Sequence, residues 1–255
     1  MPLQPNNSNA PVIETNGVSK AFGHVQALSD ADFRVDPHET VAVVGDNGAG
    51  KSTLMNILVG AEQPDEGTIS INGHEIDLPT PRAGREAGVS VVYQDLALVD
   101  SLDVATNVFL GRAPKRRFVV DRKRMARETM VVLSELGINV PAAHTLVGLL
   151  SGGQRQAVAI ARAVHAGGQL MIMDEPTAAL GVQEAKKVLK VVEMLKSQGR
   201  ALVIVSHNLE HVFALADRIV VLRGGRIVGS KRRSETTHSE IVHMIVGAIP
   251  TASGE

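Results

Sequence analysis

The chain alternates between short runs of apolar, often β-branched residues and longer stretches in which apolar positions recur at helical spacing. The apolar runs predict six strands, at Thr40–Gly45, Gly67–Ile71, Val89–Tyr93, Leu170–Asp174, Ala201–Ser206 and Arg218–Leu222. Helical spacing predicts helices at Lys51–Val59, Gly181–Ser197 and Asn208–Ala216. Strands that alternate with helices favour an α/β protein whose buried strands are mostly parallel.

About 75 residues between the third and fourth predicted strands have helical spacing and no strong strand pattern. We interpret residues 96–165 as a mostly helical insertion that divides an α/β core into two parts, 12–95 and 166–248. The pair Gly224-Gly225 predicts a hairpin turn, and Glu235–Val246 is expected to form a closing helix. Residues 1–11 and 249–255 are expected to be tails.

Composition is that of an ordinary globular protein, with 44% hydrophobic residues, 21% charged residues and a net charge of −1. This balance gives no overall indication of a nucleic acid or an anionic membrane as partner. Cysteine is absent, which excludes disulfides and thiolate metal sites. The apolar runs are shorter than the ~18 residues of a membrane span, and the first residues do not resemble a signal peptide. We therefore expect a soluble cytoplasmic protein that reaches a membrane only through a partner.

Gly45 to Ser52 reads GDNGAGKS and fits the pattern of a phosphate-binding loop between a strand and a helix. Glycines allow backbone N–H groups to surround phosphates, and a helix N-terminus adds positive potential. Lys51 would reach the β- and γ-phosphates, and the Ser52 hydroxyl would bind Mg²⁺. A plain Gly-rich turn is the alternative, and the flanking strand and helix favour the phosphate loop.

Asp174 and Glu175 follow a buried-looking strand in LMIMDEPT. Asp174 would hold Mg²⁺, and Glu175 would polarise the attacking water as a general base. By itself the pair could equally cap the next turn. Together with the lysine loop it indicates nucleotide hydrolysis.

Five motifs, GDNGAGKST, YQD, LSGGQRQ, LMIMDEPT and VSH, resemble in order and spacing those of the ATP-binding subunit of ABC transporters. The resemblance spans about Val12 to Val246. It implies a P-loop NTPase (RecA-like) fold, with a mostly parallel core sheet, an antiparallel β subdomain and an inserted α-helical subdomain. It also implies ATP and Mg²⁺ as cofactors.

The resemblance implies a role for each matching residue. The expected catalytic residues are Glu175, His207 and Gln94, the last in a flexible loop that senses nucleotide and contacts the permease. The expected Mg²⁺ contacts are Ser52, Gln94 and Asp174. The expected nucleotide contacts are Phe22, Gly45, Asn47, Gly48, Gly50, Lys51, Ser52, Thr53, Ser151, Gly152, Gly153 and Gln154.

The signature, Ser151 to Gln154, opens a predicted helix with a serine and two glycines, which is the architecture of an anion site without a lysine. The resemblance implies that the signature of one copy closes over the ATP held by the lysine loop of another. Ser151 is also a good helix N-cap, and the two roles are compatible.

Two positions stand apart from the main motifs. Phe22 lies 29 residues before Lys51, where the resemblance implies an aromatic residue that stacks on adenine; packing in the core is the alternative. Gly181 occupies a position where the family usually has aspartate, in a loop that crosses the dimer interface. We expect hydrolysis to persist, because Glu175 and His207 are present; the missing aspartate leaves open how the two sites communicate.

Two further patterns leave alternatives open. His207 and His211 share a helix face by spacing, but zinc is disfavoured because no third ligand lies nearby in sequence. Residues 112–127 contain eight basic residues and one acidic residue. A solvated helix and arm is the first interpretation of this run, contact with phospholipid headgroups the second and nucleic-acid binding the third.

These observations predict the ATP-hydrolysing subunit of an importer. Val91 to Arg112 resembles the corresponding stretch of importers for monosaccharides such as ribose, xylose or fructose. The implied partners are a second copy of the chain, an integral-membrane permease and, indirectly, a periplasmic sugar-binding protein, at the cytoplasmic side of the inner membrane; no nucleic acid is expected. The alternatives are an importer for amino acids or lipids, and a soluble ABC ATPase that acts on ribosomes or DNA.

Overall fold

The computed structural model describes residues 10–247; residues 1–9 and 248–255, which include most of the two predicted tails, lie outside the described part. The strands are β1 (Ile13–Phe22), β2 (Val25–Val35), β3 (Thr40–Val44), β4 (Glu66–Ile71), β5 (His74–Glu75), β6 (Val89–Val92), β7 (Lys115–Arg116), β8 (Val119–Val120), β9 (Leu170–Asp174), β10 (Ala201–Val205), β11 (Arg218–Arg223) and β12 (Arg226–Arg232). The α-helices are α1 (Lys51–Leu58), α2 (Pro81–Glu86), α3 (Val104–Val108), α4 (Arg122–Glu135), α5 (Gly152–Ala166), α6 (Val182–Ser197), α7 (Leu209–Leu215) and α8 (His238–Val246). Across residues 10–247, none of the helices combines the length and the apolar character that crossing a bilayer requires.

A six-stranded central sheet has the order β12-β11-β3-β10-β9-β6. Neighbouring strands from β11 to β6 are parallel, and β12 pairs antiparallel with β11 across the predicted turn. Strands β3 and β10 are buried at every position, and β9 is buried along all but its last residue. Burial on both faces explains why these strands have continuous apolar sequences instead of alternating ones. The predicted α/β fold with a mostly parallel sheet is confirmed.

A second, antiparallel sheet has the order β2-β1-β4-β5 and packs on one side of the central sheet. The strand pattern did not predict β1 and β2. Their pairing contains three register shifts, between Thr15 and Ala21, which break the alternation of buried and exposed positions. Because a bulge changes which face the following residues occupy, the alternating pattern becomes too short to recognise in the sequence.

The central sheet separates two apolar cores by the alternation of its side chains. Ile172 of β9 and Val203 of β10 pack into the core shared with the antiparallel sheet and α1. Met171, Met173 and Ile204 point to the opposite face, where α3, α4, α5 and α6 cover them. Successive residues of a strand face opposite sides, so a single strand supports both cores.

The helical elements differ in detail from their predictions. Residues 96–165 contain α3, α4 and α5, but also the small hairpin β7–β8, which the sequence pattern did not indicate. The closing helix α8 begins at His238, because Arg233–Glu235 forms a 3₁₀ turn and Thr237 caps the helix through the Glu240 N–H. Besides the two cores on the faces of the central sheet, a third and smaller apolar cluster lies between helices α7 and α8 and strands β3 and β11.

A tight contact between α2 and the end of α1 gives a test of this packing. Gly84 is buried, and a Cβ at this position would lie 2.3 Å from the carbonyl oxygen of Val59. Replacing a helical glycine by alanine usually gains up to ~1 kcal/mol, whereas overpacking against backbone costs about 1–3 kcal/mol. We therefore expect Gly84→Ala to lower the melting temperature by several degrees, measured by circular dichroism. The control Arg85→Ala, at an exposed position of the same helix, should change it little; a stabilised Gly84→Ala variant would contradict the contact.

Candidate functional site

Parallel register brings the ends of three central strands together. Val205 at the end of β10 pairs with Val43 of β3 on one side and with Asp174 of β9 on the other. The segments that follow these strands therefore leave the sheet at the same edge. Ligand sites of open α/β sheets lie at the carboxyl ends of the strands.

The predicted phosphate loop, residues 45–50, connects β3 to α1 in close contact with its surroundings. A Cβ on Gly45 would lie 2.2 Å from the carbonyl oxygen of Leu222 in β11. Gly50 has φ of 104° and caps α1, and a Cβ there would lie 2.6 Å from the carbonyl oxygen of Ala27. Any larger side chain would collide with these carbonyl oxygens, so both positions require glycine. The loop backbone can therefore lie directly against β2 and β11.

Lys51, the first residue of α1, folds back over the loop. Its Nζ donates to the carbonyl oxygens of Gly45 at 2.7 Å and Asp46 at 2.8 Å. Gly50 supplies no side-chain cap to α1, and no side chain of residues 10–247 accepts from the N–H groups of its first turn. An ammonium group and a bare helix N-terminus at one point form an electropositive site for phosphate. Asn47, Gly48 and Ser52 are exposed there, and Thr53 and Gly50 are half-buried.

Asp174, the last residue of β9, is half-buried at this edge. Burial raises the pKa of its carboxyl group, the adjacent charge of Glu175 raises the pKa further, and the charge of Lys51 lowers it. Lys51 and Asp174, which are far apart in sequence, therefore interact electrostatically. An anionic Asp174 is stabilised by added positive charge at this position.

Glu175 and His207 form a direct pair. The Glu175 Oε1 atom accepts from the His207 backbone N–H at 3.0 Å and lies 2.7 Å from His207 Nδ1. The Glu175 side chain is 12% exposed and that of His207 74% exposed, so the pair opens to solvent on the histidine side. Glu175 has φ of 47°, a conformation uncommon for a residue with a side chain, and its N–H donates to the Val205 carbonyl at 2.8 Å. Such backbone strain concentrates at functional sites.

The residues at this edge fit a magnesium ion. Asp174 is a half-buried carboxylate that accepts no hydrogen bond from residues 10–247, and burial works against its charge. Ser52 offers an exposed hydroxyl in the first turn of α1. Carboxylate and hydroxyl oxygens are the hard ligands that Mg²⁺ prefers when phosphate oxygens complete its coordination. In residues 10–247, at this edge as elsewhere, no group of three or more His, Asp or Glu side chains has the arrangement of a metal site.

Gln94 follows β6 in the loop that leads to α3, α4 and α5, which form the helical side of the molecule. β6 runs parallel to β9 with Val92 opposite Met173, so Gln94 leaves the sheet at the edge where Asp174 lies. The side chain of Gln94 is exposed. Its placement at the edge agrees with the prediction, and any contact with nucleotide or metal stays a prediction.

The following loop, residues 96–103, is held by two side chains that the sequence analysis did not identify. Asn107 is completely buried; its Oδ1 accepts from the Val99 N–H at 2.8 Å, and its Nδ2 donates to the carbonyls of Val99 and Asp103. Arg162 of α5 donates to the carbonyls of Leu96 at 2.6 Å and Ala97 at 2.7 Å. The loop backbone is therefore fixed, whereas side chains at its tip are accessible.

Phe22 ends β1 beside the turn at Gly23 and His24, with 46% of its surface exposed. The core therefore does not bury this ring, and its stacking on adenine stays a prediction. Lys20 Nζ lies 5.6 Å from the ring centroid. The partner strand β2 contacts the phosphate loop, since Ala27 lies against Gly50.

The signature forms the N-terminus of α5, as predicted. Ser151 caps the helix by accepting from the Gln154 N–H at 3.3 Å, and Gln154 Oε1 accepts from the Ser151 N–H at 3.0 Å. This reciprocal capping box occupies two donors of the first turn. Ser151 is exposed and Gly152 half-buried.

Glu184 of α6 lies against the signature, a contact that no sequence motif indicated. Its Oε1 accepts from the Gly153 N–H at 3.3 Å. Hydrogen bonds from Ser151, Gly153 and Gly181 hold the pKa of the Glu184 carboxyl below its ordinary value. The signature thus already has an anion at its helix N-terminus. The spacing of 31 residues from Gly153 carries no local pattern, which is why the contact could not be found from sequence.

Gly181, where aspartate was expected, is the N-cap of α6 in an extended conformation open to any residue. A Cβ there would meet no atom within 4 Å. The fold of the chain therefore does not require glycine at this position.

Some of the predicted site residues line two separate clefts. Glu175 and His207 line one cleft of about 550 Å³, together with Thr177, whose Oγ1 lies 3.0 Å from His211 Nδ1. Ser151 and Gly153 line another of about 760 Å³. The two clefts share no lining residue. His207 and His211 have different partners, since His207 Nδ1 lies beside Glu175 and His211 Nδ1 beside Thr177.

Comparison with known proteins places this geometry in a family. The family profile described as ABC transporter matches residues 28–178. The xylose/arabinose import ATP-binding protein XylG of Sulfolobus acidocaldarius is 41% identical, over 92% of this chain and 93% of that protein. The fructose import ATP-binding protein FrcA of Rhizobium meliloti is 42% identical, over 93% of this chain and 95% of that protein.

A solved structure supports the same assignment. The dimeric, post-hydrolysis structure of an ATP-binding cassette bound to ADP and phosphate has a TM-score of 0.75 and 25% identity, over 87% of this chain and 98% of that one. Its fold agrees with the α/β fold described above, and the profile match gives the same family. The chain is therefore an ATP-binding subunit of the ABC transporter family.

Proposed function

We propose that the chain is the ATP-hydrolysing subunit of a monosaccharide importer, working as a dimer whose two ATP sites each combine residues of both copies. The observation that carries the proposal is the separation of the two half-sites. The phosphate loop and the Glu175–His207 pair lie at the sheet edge, whereas the signature opens on another cleft. A second copy related by two-fold symmetry would complete both sites at once.

The named relatives support import and the class of solute. Two relatives above 40% identity are named for import of pentoses and of fructose, and each is matched over nearly its whole length. The solute class we propose is accordingly a monosaccharide. A permease in the cell membrane would carry the sugar, a periplasmic sugar-binding protein would deliver it, and this subunit would act at the cytoplasmic face.

Nucleotide binding follows from the phosphate-loop geometry. Lys51 would exchange the two loop carbonyls for the β- and γ-phosphates, and the N–H groups of α1 would surround the β-phosphate. Phe22 would stack on adenine with its exposed ring face. Ser52, Asp174 and Gln94 would hold Mg²⁺, which when bound supplies charge neutralisation between the phosphates.

Hydrolysis requires a base and a group that positions it. Glu175 is the base we propose, since its Oε2 has only a 3.5 Å contact with Ser206, whereas its Oε1 is engaged by His207. His207 would fix the orientation of Glu175 and, exposed as it is, approach the γ-phosphate. From the second copy, Ser151 and Gly153 would bind the γ-phosphate, which would replace the Glu184 carboxylate at that helix N-terminus.

The proposed division of labour follows the chain. Residues 12–95 and 166–248 would bind and hydrolyse ATP, and residues 96–165 would present the signature and contact the permease. Loop 96–103 joins the two parts, and its backbone is fixed by Asn107 and Arg162. A rigid loop at this junction suits the transfer of movement from the ATP site to a partner.

Glu175→Gln should abolish most turnover while leaving ATP binding intact. The amide keeps the shape of the side chain but removes the base, whose typical contribution is ~10²–10⁴-fold. Steady-state ATPase rate and equilibrium binding of a fluorescent ATP analogue measure the two effects. Lys51→Ala is the contrasting variant and should weaken binding itself. Near-normal hydrolysis by Glu175→Gln would show that another group is the base.

Mixing two inactive variants tests the composite site. Pairing a Ser151→Arg chain with a Lys51→Ala chain leaves one site with both halves intact and the other doubly damaged. ATPase activity should therefore partly recover above either variant alone.

The Glu175→Gln variant tests whether dimers depend on ATP. Light scattering of this variant should show monomers without nucleotide and dimers with ATP and Mg²⁺.

Circular dichroism must first show that Ser151→Arg is folded, since Ser151 also caps α5. Ser151→Ala repeats the test with a smaller change. Full activity of a folded Ser151→Arg chain would exclude the signature role, and absent recovery in proven mixed dimers would contradict independent composite sites.

The reconstituted transporter tests both import and the contact surface. Co-purified with its permease in liposomes, the chain should show ATPase activity stimulated by one of a panel of monosaccharides. Val99→Asp, in the accessible part of loop 96–103, should reduce transport more than basal ATPase activity, because it changes the surface and not the catalytic residues.

Val228→Asp on β12 is the matched control, since Val228 is similarly exposed and lies on the opposite edge strand. It should leave coupling unchanged. Equal loss of transport and basal activity with Val99→Asp would argue against loop 96–103 as the contact site. Stimulation by amino acids or lipids instead of sugars would replace the proposed solute class.

A further inference from the structure

The hairpin β7–β8 projects from the helical side with an apolar tip. Lys115 pairs with Val120 and Arg116 with Val119, and Arg117 and Phe118 form the two-residue turn. Paired residues of an antiparallel ladder share a face, so each face of the hairpin combines one basic and one apolar side chain. Phe118 lies at the very tip.

The apolar side chains of the tip are accessible to an unusual degree. Phe118 is 99% exposed, Val119 71% and Val120 41%. Phe118 is thus the most exposed of the large hydrophobic residues in the part of the chain that the structure describes. Three consecutive exposed apolar residues contribute nothing to the core, and such patches mark interaction sites.

Positive charge surrounds this tip without internal compensation. Six exposed basic residues make no salt bridge and no side-chain hydrogen bond with residues 10–247; they are Lys115, Arg116, Arg117, Arg122, Lys123 and Arg127. The one acidic residue of the run, Asp121, caps α4 by accepting from the Arg124 N–H at 3.0 Å. Within residues 10–247 its carboxylate therefore accepts from the helix backbone and forms no salt bridge with any of the six cations.

Two of these cations occupy positions that a helix by itself disfavours. Arg122 and Lys123 lie in the first turn of α4, which contains no acidic residue. Cations near a helix N-terminus oppose the helix dipole. The two cations therefore lower the stability of α4. Binding of an external anion would explain why they occupy these positions, whereas folding does not.

We propose that the β7–β8 hairpin and the first two turns of α4 bind an anionic lipid surface, with Phe118 and Val119 inserted among the headgroups and the six cations against lipid phosphates. Apolar side chains flanked by lysine and arginine match the two layers of a bilayer interface, apolar below and anionic above. A phosphate-rich nucleic acid fits less well, because a single aromatic ring offers little base stacking. A protein contact would need a complementary acidic surface for six cations.

The inference depends on the hairpin and the start of α4 and not on the proposed transport function. If the chain works with a permease, lipid contact would orient the helical side toward the membrane. The test therefore uses the isolated full chain without nucleotide or permease, so its failure leaves the ATPase assignment untouched.

A single tryptophan tests insertion directly, because the chain contains none. Phe118→Trp should show a blue-shifted emission and protection from aqueous quencher on addition of phosphatidylglycerol vesicles, and no change with pure phosphatidylcholine. Val246→Trp, at an exposed position on α8, is the matched control and should not respond. Equal responses of the two tryptophans would overturn the proposal.

Sedimentation with vesicles tests the charges. The triple variant Arg116→Gln, Arg117→Gln, Lys123→Gln should bind phosphatidylglycerol vesicles more weakly by about fivefold per charge. The control variant Lys190→Gln, Arg226→Gln, Arg232→Gln removes the same charge from exposed positions elsewhere and should bind as the unmodified chain does. A similar loss in both variants would show a net-charge effect and contradict a specific surface.

Other partners give distinct results. Binding of single-stranded DNA by the unmodified chain, with no binding to anionic vesicles, would replace lipid by nucleic acid. Weaker co-purification of the triple variant with the permease, again with no vesicle binding, would make the hairpin a protein contact. Either result would overturn the lipid proposal.

Discussion

Parallel pairing of β3, β10 and β9 is the constraint on which the rest of the structure depends. It places Val43, Val205 and Asp174 in one row, so that the phosphate loop, the acidic pair and His207 all leave the sheet at one edge. A one-residue slip of β9 would move Met171 into the core of Ile172 and Ile172 into the core of Met171. Each core would then lose the side chain around which it is packed. Burial of the sheet on both faces therefore also determines the geometry of the site.

The charged groups at that edge and at the signature have internal partners that a nucleotide could replace. Lys51 donates to two loop carbonyls, and Gly153 donates to the Glu184 carboxylate. Such partners satisfy groups that would otherwise be costly to leave unpaired at a partly buried surface. They also mean that binding exchanges one set of hydrogen bonds for another, so net affinity depends on the difference between the two sets.

The helical side has a core of its own and carries the surfaces that face outward. Asn107 and Arg162 fix loop 96–103 from within this core, while the hairpin β7–β8 projects from it with its cations unpaired within residues 10–247. The proposed ATP site and these outer surfaces are thus connected through packed helices and a fixed loop. A connection of this kind can transmit rigid-body movement.

The sequence by itself determined the features that depend on neighbouring residues. The phosphate loop, the acidic pair and the signature are short motifs whose proposed function follows from local backbone and helix geometry, and the buried strands are recognisable from continuous apolar runs. Tertiary structure alone decided the rest: the bulged strands β1 and β2, the contact of Glu184 with Gly153, and the fixing of loop 96–103 by Asn107 and Arg162. These depend on register and packing between segments distant in sequence, for which no local pattern exists.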